Sequence, residues 1–280
     1  MTTYNCEFIS PAFIYGANKE PEFRIPSLKG IIRYWWRAAK VLPTQELREE
    51  ESKLFGSSSN KYGKSQLIMQ VIKDQTAPKN TALLPHKNKV QRKALIGSVK
   101  IALLSKDYIR IFENTFELAI TLGGIGRRTR RGFGSMNIIK KNNDNYEYHD
   151  INDLFDRLFK LLLTFNNNFT KIDEKTIVYN DNSDNDTKAN YPYIKAVYIG
   201  ESYEKVNDAL IKIGKIAHNF SDYDSLGYAK GEHRLASPVV VSISKVKNEF
   251  YLIITKLNTP DNINDLDCQD EFIKKLGGSK

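Results

Sequence analysis

Residues 107–140 read DYIRIFENTFELAITLGGIGRRTRRGFGSMNIIK. Apolar residues at Ile109, Phe112, Phe116, Ala119 and Ile120 recur at helical spacing, which predicts an amphipathic helix over 107–122. Gly123-Gly124 ends it, and SMNIIK at 135–140 reads as a strand. Upstream, 3–9 (TYNCEFI) is a short strand and 66–73 (QLIMQVIK) and 94–104 (ALIGSVKIALL) are two more. A helix is predicted from Ser27, as N-cap after Pro26, to about Leu42 before Pro43. The resulting order, β-α-β-β-α-β over 3–140, is the ferredoxin-like arrangement that RNA-recognition modules also use. Residues 74–93 form a long basic excursion containing Pro78 and Pro85, and 56–65 (GSSSNKYGKS) a loop.

The second half supplies a helix at 152–165, a strand at 192–199, a helix at 203–219, a hairpin of 237–246 and 249–257, and a helix at 265–276. Between them 180–190 (NDNSDNDTKAN) is low-complexity and reads as disordered. The expected fold is therefore α+β, with two tandem ferredoxin-like (RRM-like) domains over 1–145 and 146–280. The second is degenerate, its first strand being poorly marked.

Charge divides the chain in the same place. Of 42 Lys+Arg and 33 Asp+Glu, residues 1–140 hold 24 and 11, and residues 141–280 hold 18 and 22. The net charges of the halves, +13 and −4, favour a basic half that meets an anionic polymer. Cys6 and Cys268 form neither a disulfide framework nor a zinc spacing. No signal peptide and no apolar run of membrane-spanning length is present, so a soluble cytoplasmic protein is expected.

Two basic elements carry the binding prediction. In the loop after the second helix, Arg127, Arg128, Arg130 and Arg131 stand between glycines, with Phe133 among them. Gly124 and Gly126 let backbone approach a ligand, and arginine forks match phosphate and stack on bases. The third glycine of a dinucleotide fingerprint is absent, because Thr129 stands in its place, and no P-loop occurs. In the helix SLKGIIRYWWRAAK (27–40), Lys29, Arg33, Trp36, Arg37 and Lys40 share one face. Cations on phosphates and a tryptophan on a base suit a single strand of RNA, and Ser27 at the helix start, with Arg24 beside it, adds an anion site. The plainer alternative is a solvated basic turn and a solvated helix face. Replacing the four loop arginines by alanine is expected to weaken RNA binding while leaving the melting temperature nearly unchanged.

These segments together, FRIPSLKGIIRYWWRA (23–38), KLFGSSS (53–59) and GGIGRRTRRGFGS (123–135), with the weaker RLASP (234–238), resemble the RAMP superfamily of CRISPR-associated RNA-binding proteins. Within it they are similar to a subunit type of the type III-B (Cmr) effector complex. The resemblance implies two tandem ferredoxin-like domains and a place in an RNA-guided complex beside other RAMP subunits. It implies contact with the 3′ region of the guide RNA (crRNA) or with target RNA, cleavage being performed by a different subunit. Lys29, Arg33, Arg37 and Gly124 to Gly134 are the residues it carries over. No catalysis, metal or other cofactor is expected. The alternative is a metal-independent ribonuclease maturing guide RNA through His86 or His233, and a third reading is a protein assembly element docking on an acidic partner.

Overall fold

The computed structural model describes residues 1–58, 61–87, 89–180, 191–259 and 263–278. Apart from Asn180, the low-complexity segment 180–190 lies outside them.

The first half builds β1 (Thr2–Phe8), α1 (Ile25–Lys40), α2 (Thr44–Phe55), β2 (Ile68–Leu84), β3 (Lys89–Leu104), α3 (Ile109–Leu122), β4 (Met136–Lys141) and the short β5 (Asp144–Asn145). The antiparallel sheet has the order β2-β3-β1-β4-β5. Its first four strands give the ferredoxin-like order. Along the central β1, Tyr4, Cys6 and Phe8 alternate inward, as the pleat requires. The excursion expected at 74–93 is mostly ladder: β2 and β3 pair from Ile68↔Leu104 to Leu84↔Lys89. Pro78 is accommodated because β2 is an edge strand. Helix α2 is an element the sequence reading lacked.

The second half adds α4 (Ile151–Leu163), β6 (Phe169–Lys171), β7 (Thr176–Tyr179), β8 (Ile194–Tyr203), α5 (Val206–Asn219), β9 (Tyr228–Lys230), β10 (His233–Leu235), β11 (Val239–Val246), β12 (Glu249–Leu257) and α6 (Asp267–Lys275). The sheet order is β11-β12-β8-β7-β6, with β9 and β10 as a separate pair. The β8-α5-β11-β12-α6 series is ferredoxin-like, and β8 is its first strand. The strand that no later segment supplies is the fourth, and β7, earlier in the chain, pairs antiparallel with β8 in that place.

The halves share a core. One face of the second sheet (Val197, Val240, Ile253) joins a cluster with Leu28, Phe112, Phe116 and, from α4, Leu154 and Leu158. The other face (Tyr198, Val241, Ile254) packs with Leu210 and Ile213 of α5 and Phe272 of α6. Helix α3 contacts β3 and β4 on one side and β11 and β12 on the other. Hence ten of its residues between Phe112 and Leu122 are buried, although the sequence shows one apolar stripe. Burying Glu113 and Glu117 requires partners. Thr2 donates to Glu113. Tyr4 and Tyr146 donate to Glu117 at 2.8 and 2.6 Å, and Lys141 Nζ reaches both carboxylates at 3.2 and 2.8 Å. Burial first, then the Glu117 carboxylate, pushes both tyrosine hydroxyls far above their usual range. Among the described residues no helix is long and apolar enough to cross a membrane.

Candidate nucleic-acid interface

The glycine-arginine loop lies at the seam between the halves. Strand β11 is the edge of the second sheet, and an uncovered edge exposes unpaired backbone groups. The loop and β4 cover it. Gly132 N–H donates to Val241 O at 2.7 Å and Val241 N–H to Arg130 O at 3.3 Å. Further along, Ile243 N–H donates to Ser135 Oγ at 3.0 Å. Asn137 clamps Lys245 with its Nδ2 on the carbonyl (2.6 Å) and its Oδ1 on the N–H (3.2 Å). On the other side Arg127 N–H donates to Phe13 O and Gly134 N–H to Pro11 O, both at 3.0 Å. The glycines fit this close packing: Gly134 has φ +67°, and a Cβ there would sit 2.1 Å from Ile125 O.

The four arginines consequently differ. Arg127 is exposed and crosses the Tyr15 ring at 5.5 Å. Arg128, at φ +60°, lies over Phe133 at 5.8 Å with a buried, unpartnered Nε. Arg130 donates to Ser237 O and, at 3.3 Å, to Tyr34 OH. Arg131 is a strut. Its guanidinium donates to the carbonyls of Arg130 (2.8 Å), Val239 (3.0 Å) and Leu226 (3.4 Å) and lies 5.3 Å from the Phe272 ring centroid. Burial, with Arg128 and Arg130 nearby, lowers its pKa to about 10, which leaves it protonated at neutral pH.

Several expected ligand contacts are thereby corrected. Arg131 donates to three backbone carbonyls, two of them in the second half. Phe133 is 1% exposed and packs on Phe13 (5.2 Å between ring centroids), so its ring is closed to a base. Trp36 is also 1% exposed, edge-on to Phe55 at 5.8 Å. Helical periodicity places it among cations, but α2 covers that face. The same packing engages the cations: Arg33 and Arg37 (3.5 Å) both reach the buried Glu51, Lys40 pairs with Glu50 at 3.1 Å, and Lys29 Nζ donates to Leu67 O at 2.8 Å. Burial lowers the pKa of Lys29. Arg33 and Arg37 keep about 40% of their side-chain surface, 42% and 41%, so they remain reachable from solvent. Ser27 is not the N-cap. Arg24 holds that position with extended backbone, and no side chain caps the helix.

What remains open is a pair of hollows that share Arg130. One, of about 220 Å³, lies between α1 (Ser27, Gly30, Tyr34) and the loop (Gly124, Thr129, Arg130). The second, of about 230 Å³, is bordered by Arg130, Tyr191, Leu235 and Asn258. Exposed Arg24 stands at the uncapped start of α1, where Ser27 and Gly30 border the first hollow. Aromatic walls, a guanidinium and a positive helix end in one groove suit an anionic, base-bearing chain. Tyr34, Thr129 and Tyr191 were not legible as site residues, since nothing local distinguishes them.

The RAMP superfamily profile matches residues 5–137. Over that stretch this chain is similar to the RAMP superfamily. Two curated relatives come from Pyrococcus furiosus. Cmr subunit Cmr1-2 is 28% identical over 48% of this chain and 93% of its own length. Cmr1-1 is 26% identical over 51% of this chain, and the match spans half (50%) of that relative. The crystal structure of apo Cmr1 from Pyrococcus furiosus superposes with TM-score 0.66 at 17% identity, covering 99% of this chain and 96% of that one. A chain of a type III-B Cmr-beta complex bound to cognate target RNA and AMPPnP gives TM-score 0.63 at 14% identity, covering 99% and 98%. The fold shared with these structures thus extends over both halves, beyond the stretch that the profile matches.

The ribonuclease alternative rested on His86 and His233. His233 lies exposed on β10. His86 faces His218 instead, with ring centroids 5.9 Å apart. Among the described residues no group of three or more His, Cys, Asp or Glu is placed to hold a metal ion.

Proposed function

We propose that this chain is a cytoplasmic, Cmr1-like RNA-binding subunit of a type III-B CRISPR effector complex. It holds a single strand of guide or target RNA and performs no cleavage itself. The observation that carries this reading is the groove of two hollows joined at Arg130 in a RAMP fold. The names of the relatives, Cmr subunits, and a related complex that holds target RNA support it. Arg24, Arg127 and Arg130 are the contacts assigned the largest share, with Lys29, Arg33 and Arg37 at the margin because each already has a protein partner. Other RAMP subunits are the partners.

The test is fluorescence anisotropy of the full chain with a labelled single-stranded RNA across a salt series. Each phosphate contact contributes about 0.7 to the log–log slope for a single strand. The double variant Arg24→Gln/Arg130→Gln is expected to flatten the slope by about 1–2. An unchanged slope places the RNA elsewhere. Cleavage of the RNA in EDTA overturns the non-catalytic reading.

A further inference from the structure

The β2–β3 hairpin is long enough to reach the second half. Its tip, a tight turn over Pro85–Lys87, packs on α5. Gly214 makes the approach possible: a Cβ at that position would lie 2.3 Å from His86 Nδ1. Three separate chain segments bring basic side chains to this junction, namely His86 and Lys87 from the hairpin tip, Lys215 and His218 from α5, and Arg128 from the glycine-arginine loop. Burial first, then these four neighbours, all basic, lower the pKa of His86. Among the described residues none of the five makes an ion pair with a carboxylate.

Two further observations belong to the same cluster. His86 Nδ1 and Arg128 Nε are both buried without a hydrogen-bond partner. Arg128 also holds a left-handed backbone conformation at φ +60°. Orphaned buried polar atoms are rare, and strained backbone concentrates where a ligand is held. Like charges gathered from three segments oppose one another unless an anion lies among them. Lys87, Lys215 and His218 are exposed, so such an anion has access from solvent.

We propose that Arg128, His86, His218 and Lys215 form a phosphate site, separate from the Arg130 hollows, that takes one phosphodiester of the bound RNA strand and fastens the hairpin tip to α5. The proposal rests on the RNA-binding reading for the source of the phosphate. It gives the long hairpin a purpose, because the tip carries His86 to a site that neither half forms alone. A protonated His86 holds the phosphate best, and because burial and its basic neighbours lower its pKa, the contact strengthens toward acid pH.

Anisotropy with a fluorescein-labelled single-stranded RNA at constant ionic strength, at pH 5.8 and 7.8, tests it on the full chain. Wild type is expected to bind about 3-fold more tightly at pH 5.8, as His86 gains charge beside the phosphate. In His86→Gln/His218→Gln that gain falls below about 2-fold, and the salt slope drops by about 0.7 for one lost phosphate. The exposed Lys215→Gln, which leaves the hairpin packing intact, is expected to lower the slope as well. Arg24→Gln/Arg130→Gln weakens binding at both pH values and keeps the pH gain, which separates the two sites. A histidine double variant with the wild-type pH gain and slope overturns the proposal. If no variant binds RNA, the titration of His86 and His218 by NMR with inorganic phosphate decides. Raised imidazole pKa values in wild type but not in Arg128→Gln assign the site to free phosphate, and unmoved values overturn it.

Discussion

Replacing Arg131 alone by alanine separates a strut from a ligand contact. Its guanidinium satisfies three backbone carbonyls, of Arg130, Val239 and Leu226, and stacks on Phe272. Two of those carbonyls belong to the second half, Val239 on β11 and Leu226 in the turn at Asp224–Leu226. Truncation removes all three hydrogen bonds from a partly buried seam, although Arg130 O keeps the Val241 N–H and Val239 O keeps the Ser237 hydroxyl. At about 1 kcal/mol net for each hydrogen bond the loss is about 3 kcal/mol. Unfolding entropy of about 2.1 cal/mol/K per residue makes that about 5 °C in Tm for a chain of 280 residues. Differential scanning calorimetry of the four single variants reads the pattern. Arg131→Ala is expected to melt about 5 °C early, whereas exposed Arg127→Ala stays within about 1–2 °C of wild type. Simultaneous replacement of all four arginines is therefore expected to lower Tm, where the sequence alone led to the expectation of a nearly unchanged one, and the single variants are the sharper test of RNA binding. An Arg131→Ala protein with unchanged Tm and abolished RNA binding refutes the strut.

Gly134→Ala forces a Cβ to 2.1 Å from Ile125 O at φ +67° and is expected to cost more than about 3 kcal/mol, whereas Gly30→Ala, inside α1 with nothing within 4 Å, is expected to hold or raise Tm, by up to about 1 kcal/mol of helix propensity; equal melting of the two refutes the packed-loop reading. Glu51→Gln weakens the tie between α1 and α2. With both arginine partners about 40% exposed, solvent screening holds the cost to about 1 kcal/mol, or roughly 2 °C. An unchanged Tm with tenfold tighter RNA binding instead shows that Glu51 restrains Arg33 and Arg37 from the RNA. At the start of α4, Asp150 caps the Asp153 N–H at 2.9 Å, and Asp150→Ala is expected to lose about 1 kcal/mol of stability in urea titration. Burial opposes ionisation of Asp153, but hydrogen bonds from His149 N–H and Arg157 outweigh it and hold the carboxyl below its usual range. A depressed folded pKa stabilises above the unfolded value near 3.9, so this contribution is lost as pH falls through the folded value. Wild type is thus expected to lose more stability than Asp153→Asn below about pH 4, by thermal melts across pH; parallel curves refute it.

The legible parts of the fold are those carried by local pattern. The five helices with apolar periodicity and the strands β1, β3, β4, β8, β11 and β12 stand within a few residues of their predicted places, because each buries a face written into its own spacing. The outer part of β2 was not legible, since its polar, Pro-containing sequence is held by pairing with β3 rather than by burial. Helix α2 was missed for a related reason: TQELREEESKLF buries only Leu47, Glu51, Leu54 and Phe55, and its role is to cover α1. The Trp36 assignment failed with it, because a face that is basic by periodicity is solvent-facing only if no other element lies on it.

By itself the sequence determined the β-α-β-β-α-β framework of the first half, without α2, the basic character of that half, the motifs that resemble the RAMP superfamily and the placement of a glycine-arginine loop between α3 and β4. Each follows from residue spacing or composition within a short window. Only the tertiary structure decided what each arginine does. Arg131 became a backbone strut and Arg130 the hinge of two hollows. Arg128 joined a histidine pair drawn from segments more than 40 residues away on either side of it in the chain. The four share one local signature, and they diverge because the edge of β11, the tip of the β2–β3 hairpin and α5 close around the loop from distant parts of the chain. Desolvation and hydrogen bonding depend on those neighbours, and no window of sequence contains them.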